Sequence, residues 1–289
     1  MSANYLDGLL RNTSNDRVRP TKWAATALLA RAYLYYASLP GMDAANYIKA
    51  EQQATILIEN SGGVFALSSL PNAFLRASLG NKEAIWQLQP VSSTQTNAQD
   101  GYAFIPGPGG IPQLQLSPFL LASFEAGDNR RTNWINSVTV SGSTYNYPFK
   151  YKIGKNVGGI PPVTEHEMML RLGEQYLIRA EARAQQGNIA GAQADINAIR
   201  TRAGLANTAA TDKASLITAI LHERQVELFT EMGHRWLDLK RTGTIDAVMG
   251  NPSGVCAVKG GTWNSYQQLY PIQVGDIQLD PNLKQNPGY

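Results

Sequence analysis

The sequence predicts a mainly α fold: antiparallel helical hairpins, long irregular loops and a few short strands. Three observations carry that expectation. Apolar residues recur at spacings of three and four over residues 21–38, 164–186 and 188–203. Pro40-Gly41, Ser61-Gly62-Gly63, Gly187 and Gly204 stand where those patterns stop. Between about 64 and 162 the helical period is lost, and short alternating stretches and turn residues replace it.

Taken in order, Thr21 to about Ser38 sets Trp23, Ala27, Ala30 and Leu34 on one helical face, entered after Pro20. A second helix spans about Asp43 to Glu59, with Asp43 of the residue type that caps free N–H groups. A short turn joins the two, which makes them a hairpin. Glu83 to Gln89 alternates as a strand, with Ala84, Trp86 and Leu88 on one side. Val91 to Gln99 reads as a polar loop, Gly107 to Gly110 as irregular, and Ser117 to Glu125 as a short helix. Tyr145 to Ile153 reads as an edge strand interrupted at Pro148. Thr164 and Glu167 have the spacing of a capping box, which predicts a helix of about 22 residues and 33 Å ending at Gln186. Asn188 opens the next helix, and Gly204-Leu205 closes it with a left-handed turn. A further helix runs from about Asp212 to Met232.

Tyr176 to Ile199 fits a tetratricopeptide unit, with Gly187-Asn188-Ile189 as its corner and Ala180 and Ala192 at the close approach. Two hairpins are few for a free-standing solenoid. Either the third helix and the loops cap the stack, or further repeats precede Met1. The whole reads as a single domain over 1–289: a hairpin at about 20–60, a loop-rich region at 64–162, a helical core at 163–243 and a C-terminal loop segment at 244–289.

Composition excludes several functions. A net charge of +3 in 289 residues gives no ground for nucleic-acid binding, and Lys150, Lys152 and Lys155 read as a solvated strand and loop. The single cysteine, Cys256, closes no intrachain disulfide. No apolar run is long enough to span a bilayer, and Met1 to Arg11 lacks the order of a signal peptide. His222-Glu223 is followed at the zinc-binding position by Val226, so no metal site is expected there. His234 and Asp238 read as part of an ion-pair lattice with Glu231, Arg235 and Arg241. Gly154 to Gly159 lacks the Gly-Lys-Ser/Thr of a phosphate loop. A glycosidase needs two facing carboxyls, and Glu125 and Asp128 offer only a weak pair. No cofactor is implied. Arg224 falls on the buried face of its helix, so a carboxylate partner is required, with Glu227, Glu231 and Asp238 in reach.

Five ordered blocks then resemble the SusD/RagB family. They are Arg171-Leu172-Gly173-Glu174-Gln175-Tyr176-Leu177-Ile178-Arg179-Ala180-Glu181-Ala182, Asn197 to Leu205, Glu223-Arg224-Gln225-Val226-Glu227-Leu228, Gly233-His234-Arg235-Trp236-Leu237-Asp238-Leu239-Lys240-Arg241-Thr242-Gly243, and Tyr270-Pro271-Ile272 with Asn282 to Tyr289. The likeness is clear from about 161 to 289 and poor from 64 to 162. It implies a non-catalytic outer-membrane lipoprotein on tetratricopeptide-like helices. Such a protein binds oligosaccharides, or sometimes peptides, at the cell surface and hands them to a TonB-dependent transporter of the SusC type. The lipid anchor, the signal and further helices of the family have no counterpart in this chain, which implies a missing N-terminal portion.

Sugars stack C–H faces on aromatic rings and pair hydroxyls with amides. The candidate ligand-binding residues are therefore Trp134, Tyr145, Tyr147, Tyr102 and Asn133 in the loop-rich region, with Asn97, Gln99 and Asn146 near them, and Trp263 and Tyr266 in the C-terminal loop. Trp23, Trp86 and Trp236 are expected in the core. The alternative is a helical-repeat adaptor that binds protein alone.

Overall fold

The computed structural model describes residues 16–39, 41–90, 96–155 and 161–289. They form two compact units, one ending at His234 and one from Arg235 to Tyr289. Pro40, residues 91–95 of the polar loop and residues 156–160 of the glycine-rich stretch lie outside the described residues.

In the first unit α1 (Lys22–Ala37) and α2 (Ala45–Ile58) form the expected hairpin. Thr21 caps α1 by accepting the Trp23 N–H, and Asp43 accepts the Ala45 N–H at 2.7 Å. Strand β1 (Ala84–Leu88) follows, then the short helices α3 (Gln99–Phe104), α4 (Pro118–Ser123) and α5 (Asn129–Trp134). Strands β2 (Ile135–Val140) and β3 (Ser143–Pro148) make an antiparallel hairpin. Its two-residue turn, Ser141-Gly142, has φ of 50° and 81°, as a turn that matches strand twist requires. The strand expected at Tyr145 to Ile153 thus starts earlier, at Ser143, and ends at Pro148, one residue before the Phe149 N–H makes a last bond to Trp134 O at 2.7 Å.

The expected helix start at Thr164 is corrected. Residues 167–171 are strand β4 (Glu167–Arg171), antiparallel to β1, and α6 (Leu172–Gln185) begins only after it. The Thr164 N–H donates to Asn97 Oδ1 at 2.8 Å, while Glu167 accepts the Tyr151 hydroxyl and the Asp100 N–H. Partners distant in sequence have overridden a local capping pattern. The register of β1 also differs from the simple alternation: a bulge between Ala84 and Gln87 buries Gln87 and exposes Leu88. Gln87 is satisfied there by the Ala77 N–H and the Leu75 carbonyl.

Helices α6 and α7 (Ile189–Arg202) form the tetratricopeptide-like pair. Gly187 turns the chain at φ 81°, and the Asn188 side chain accepts the Gly191 N–H. Ala180 and Ala192 are both buried in one cluster with Ile196, Leu216 and Ile220. Gly204 adopts φ 81°, and the Leu205 N–H reaches back to Arg200 O at 2.9 Å, the closing turn its sequence implied. Helix α8 (Lys213–Glu227) starts from the capping box of Asp212 and Ser215. It stops five residues short of Met232. Thr230 and Met232 have positive φ, and Lys150 Nζ takes the terminal carbonyls of Glu227 and Phe229 at 2.8 Å each.

That contact corrects the reading of Lys150 as solvated. It is 4% exposed, bonded to Glu231 and set over the Phe229 ring at 4.1 Å. Around it lies a buried polyionic knot. Glu227 Oε1 accepts from Arg171 at 2.6 Å and from Arg202, and its Oε2 accepts from Arg130 at 3.0 Å. Arg171 also grips Glu83 and Glu231, and Arg130 grips Asp128 and Glu223. Burial pushes the Glu227 carboxyl up, but the fields of Arg202, Arg171 and Arg130 outweigh it and hold the group well below the usual range. Arg224 is buried as expected, and its field helps to lower the Glu174 carboxyl.

The second unit contains α9 (His234–Arg241) from its second residue onward, α10 (Ile245–Met249), α11 (Val255–Val258) and α12 (Val274–Leu279). Asp238 pairs with Arg241 at 2.8 Å. Asn286 and Gln285 hold the Tyr270–Ile272 segment: Gln285 exchanges two 2.8 Å hydrogen bonds with Ile272, and Asn286 Nδ2 donates to Tyr270 O.

Candidate functional site: an aromatic surface in the C-terminal unit

The predicted ligand residues divide by exposure. Trp134 is 0% exposed, its N–H donates to Leu70 O at 2.9 Å, and its ring packs edge-on against Phe74 at 5.5 Å. Tyr102 and Tyr147 are also buried, Tyr147 edge-on to Phe149 at 6.1 Å. None of these three presents an open ring face. Asn97 is buried too, spending its amide on Pro162 O and the N–H groups of Thr164 and Glu165. Tyr145 and Asn133 are half-buried, Asn133 donating to Asn129 O. Tyr145 sits opposite Val138 in the β2–β3 hairpin. In the loop-rich region it is thus the one candidate ring with accessible surface.

Trp263 and Tyr266, by contrast, belong to a group of rings. Trp263 is half-buried and stands 6.0 Å from Trp236, the planes crossing at 80°. Trp236 lies 5.8 Å from Tyr270, tilted by 36°, and Tyr270 is 71% exposed. Tyr266 packs edge-on to Tyr289 at 5.1 Å, both of them exposed. Trp236, expected in the core, is half-buried and packs against both Trp263 and Tyr270.

The geometry is fixed by specific bonds. Asp246, at the start of α10, accepts the Trp263 N–H on Oδ1 at 2.8 Å; its Oδ2 accepts the Ser265 hydroxyl at 2.7 Å and the Gln268 amide at 2.9 Å. Hydrogen bonds from Ser265 and Trp263 lower the Asp246 pKa, so the group is anionic at neutral pH. The Tyr289 hydroxyl donates to Leu269 O at 2.9 Å. Gly288 lies under the Tyr266 ring: a Cβ there would come within 2.3 Å of Cγ, and φ is 95°. Only glycine fits both conditions.

Chemically, the arrangement offers apolar ring faces beside hydroxyl, amide and carboxylate groups. Trp236, Tyr270, Tyr289 and Asp246 were not among the predicted site residues. The exposed run Leu269-Tyr270 and the terminal tyrosine carried a weak signal for them in the sequence; Asp246 carried none. Among the described residues no group of three or more His, Cys, Asp or Glu is placed to hold a metal ion, and no helix is long and apolar enough to cross a membrane.

A family model described as the SusD family matches residues 136–289, more than half of the chain. The chain belongs to the SusD family. The match starts at β2, earlier than the likeness legible in the residues, and includes the whole aromatic surface. The starch-binding protein SusD of Bacteroides thetaiotaomicron is 38% identical over 125 residues, which are 42% of this chain and 21% of that protein. Among solved structures, a SusD superfamily protein from Parabacteroides distasonis superposes with a TM-score of 0.76 at 23% identity, covering 97% of this chain and 66% of that one. Surface glycan-binding protein A from Bacteroides uniformis gives 0.69 at 21% identity, covering 93% and 61%. These likenesses establish the mainly α SusD fold. The chain spans about a fifth of the curated relative in that alignment and less than two thirds of the Bacteroides uniformis structure.

Proposed function

We propose that this SusD-family chain binds oligosaccharides without transforming them, at the outer surface of the outer membrane, and passes them to a SusC-like TonB-dependent transporter. The observation that carries the reading is the surface of Trp263, Tyr266 and Tyr270, flanked by Asp246, Ser265 and Gln268. Ring faces of this kind take up the C–H faces of pyranoses, and the polar neighbours suit hydroxyls. The names of two similar proteins, a starch-binding and a glycan-binding one, support the ligand class. The lipid anchor and the transporter rest on family membership alone. Tyr145 with Asn133 is a second, smaller candidate surface.

Titration of the full chain with an oligosaccharide panel, read by tryptophan fluorescence and calorimetry, tests the proposal. Trp263→Ala and Tyr266→Ala are expected to weaken binding at least about tenfold, the loss of one stacked ring. Tyr145→Ala reports on the second surface. Unchanged affinity in Trp263→Ala and Tyr266→Ala would remove the C-terminal surface from the reading. Hydrolysis of a bound glycan would overturn the non-catalytic assignment.

A further inference from the structure

We propose that Asp246 makes the aromatic surface selective for uncharged oligosaccharides over those bearing carboxylates. The inference rests on the reading of that surface as a glycan site and deepens it.

Asp246 is a charged side chain hydrogen-bonded to the cluster. Its Oδ1 lies 2.8 Å from the Trp263 indole nitrogen, so any sugar stacked on that ring has a carboxylate at its edge. Both oxygens are held, by Trp263 on one and by Ser265 and Gln268 on the other, which prevents the group from swinging away. Among the described residues the hydrogen bonds to Asp246 come from neutral groups, those of Trp263, Ser265 and Gln268. Among the described residues no lysine or arginine lies over the rings of Trp236, Trp263, Tyr266, Tyr270 or Tyr289. In the first unit the opposite holds: Lys150 stands over Phe229 at 4.1 Å and over Trp134 at 4.9 Å.

The basic side chains of the second unit are accounted for. Arg241 pairs with Asp238, and Arg235 is subject to the field of the same carboxylate. Lys240 is half-buried one helical turn after Trp236, and Lys259 and Lys284 are exposed. An acidic sugar on this surface therefore meets a fixed negative charge and, among the described residues, no cation over its rings. Recognition of a sugar carboxylate relies on the reverse, a bidentate arginine or a lysine placed at the site. A unit charge about 6 Å away in water changes affinity roughly threefold, and salt screens it.

The test uses the full chain and matched ligands. Each neutral oligosaccharide that binds in a Trp263-dependent way is compared with its counterpart oxidised to a carboxylate at the primary hydroxyl. The neutral form is expected to bind at least about threefold tighter at low ionic strength, with the gap narrowing in about 0.5 M salt. Asp246→Asn, which keeps an oxygen for the Trp263 N–H, is expected to narrow the same ratio; a merely structural role would weaken both ligands equally. Equal or tighter binding of the oxidised form overturns the inference and leaves the glycan reading standing. If no panel member binds in a Trp263-dependent way, the reading itself fails, and the inference with it.

Discussion

Replacing Glu227 with alanine tests whether the buried ionic knot is what joins the loop-rich region to the helices. The Glu227 side chain has no exposed surface and accepts from three guanidinium groups, those of Arg130, Arg171 and Arg202. These arginines come from α5, β4 and α7, so one carboxylate ties three elements to α8. Its removal strips an acceptor from each in a site closed to water. Each arginine keeps another partner: Arg130 keeps Asp128 and Glu223, Arg171 keeps Glu83 and Glu231, and Arg202 keeps Glu83. The loss is therefore about 3–5 kcal/mol, that of breaking one buried ionic group, rather than three times that figure. For a chain of this size, it lowers the melting temperature by about 10 °C. Glu227→Gln keeps the volume and one acceptor oxygen, and is expected to cost about half as much. Calorimetry together with urea midpoints measures both variants. A melting temperature within about 2 °C of the parent in Glu227→Ala would refute the argument.

Two further outcomes follow from buried groups. Burial pushes the His234 imidazole down to about 4, with Arg224 and Arg31 adding to the effect and Glu174 opposing it. Between the ordinary histidine value near 6.5 and about 4 the unfolded chain carries a proton that the folded chain lacks, so stability falls as pH drops through that window, by roughly 3 kcal/mol in all. Asp100, raised to about 7 by burial and by Glu167, acts with the opposite sign over part of the range. The measurement is therefore the difference in urea midpoints between the parent and His234→Asn at pH 7, 5.5 and 4.5; parallel profiles would contradict the assignment. Trp134→Ala is expected to cost about 3–5 kcal/mol while leaving the glycan affinity of the folded protein unchanged. Unchanged stability with lost binding would instead return Trp134 to the ligand site.

Sequence pattern revealed most where interactions are local. The α1–α2 hairpin, the corner at Gly187-Asn188, the Gly204-Leu205 turn and the start of α8 at Asp212 depend on residues within one or two turns of each other, so their spacing could be read directly. The loop-rich region was less legible for the opposite reason. Hairpin β2–β3 did leave a signal, with Val138 and Val140 alternating before Ser141-Gly142 and Tyr145 and Tyr147 after it. The helical caps at Thr164 and the solvation of Lys150 misled, because the groups that satisfy them come from Asn97, Glu227, Phe229 and Glu231.

By itself, then, the sequence determined the family blocks, the helical pairs and the presence of aromatic residues suited to sugars. Which rings face solvent was decided by the tertiary structure alone. Trp134 and Trp263 look alike as residues in polar surroundings, yet one fills a core against Phe74 and the other stands at an open surface on the Asp246 carboxylate. The physical reason is that exposure is set by what packs on a side chain from distant segments, and neither composition nor spacing encodes those neighbours.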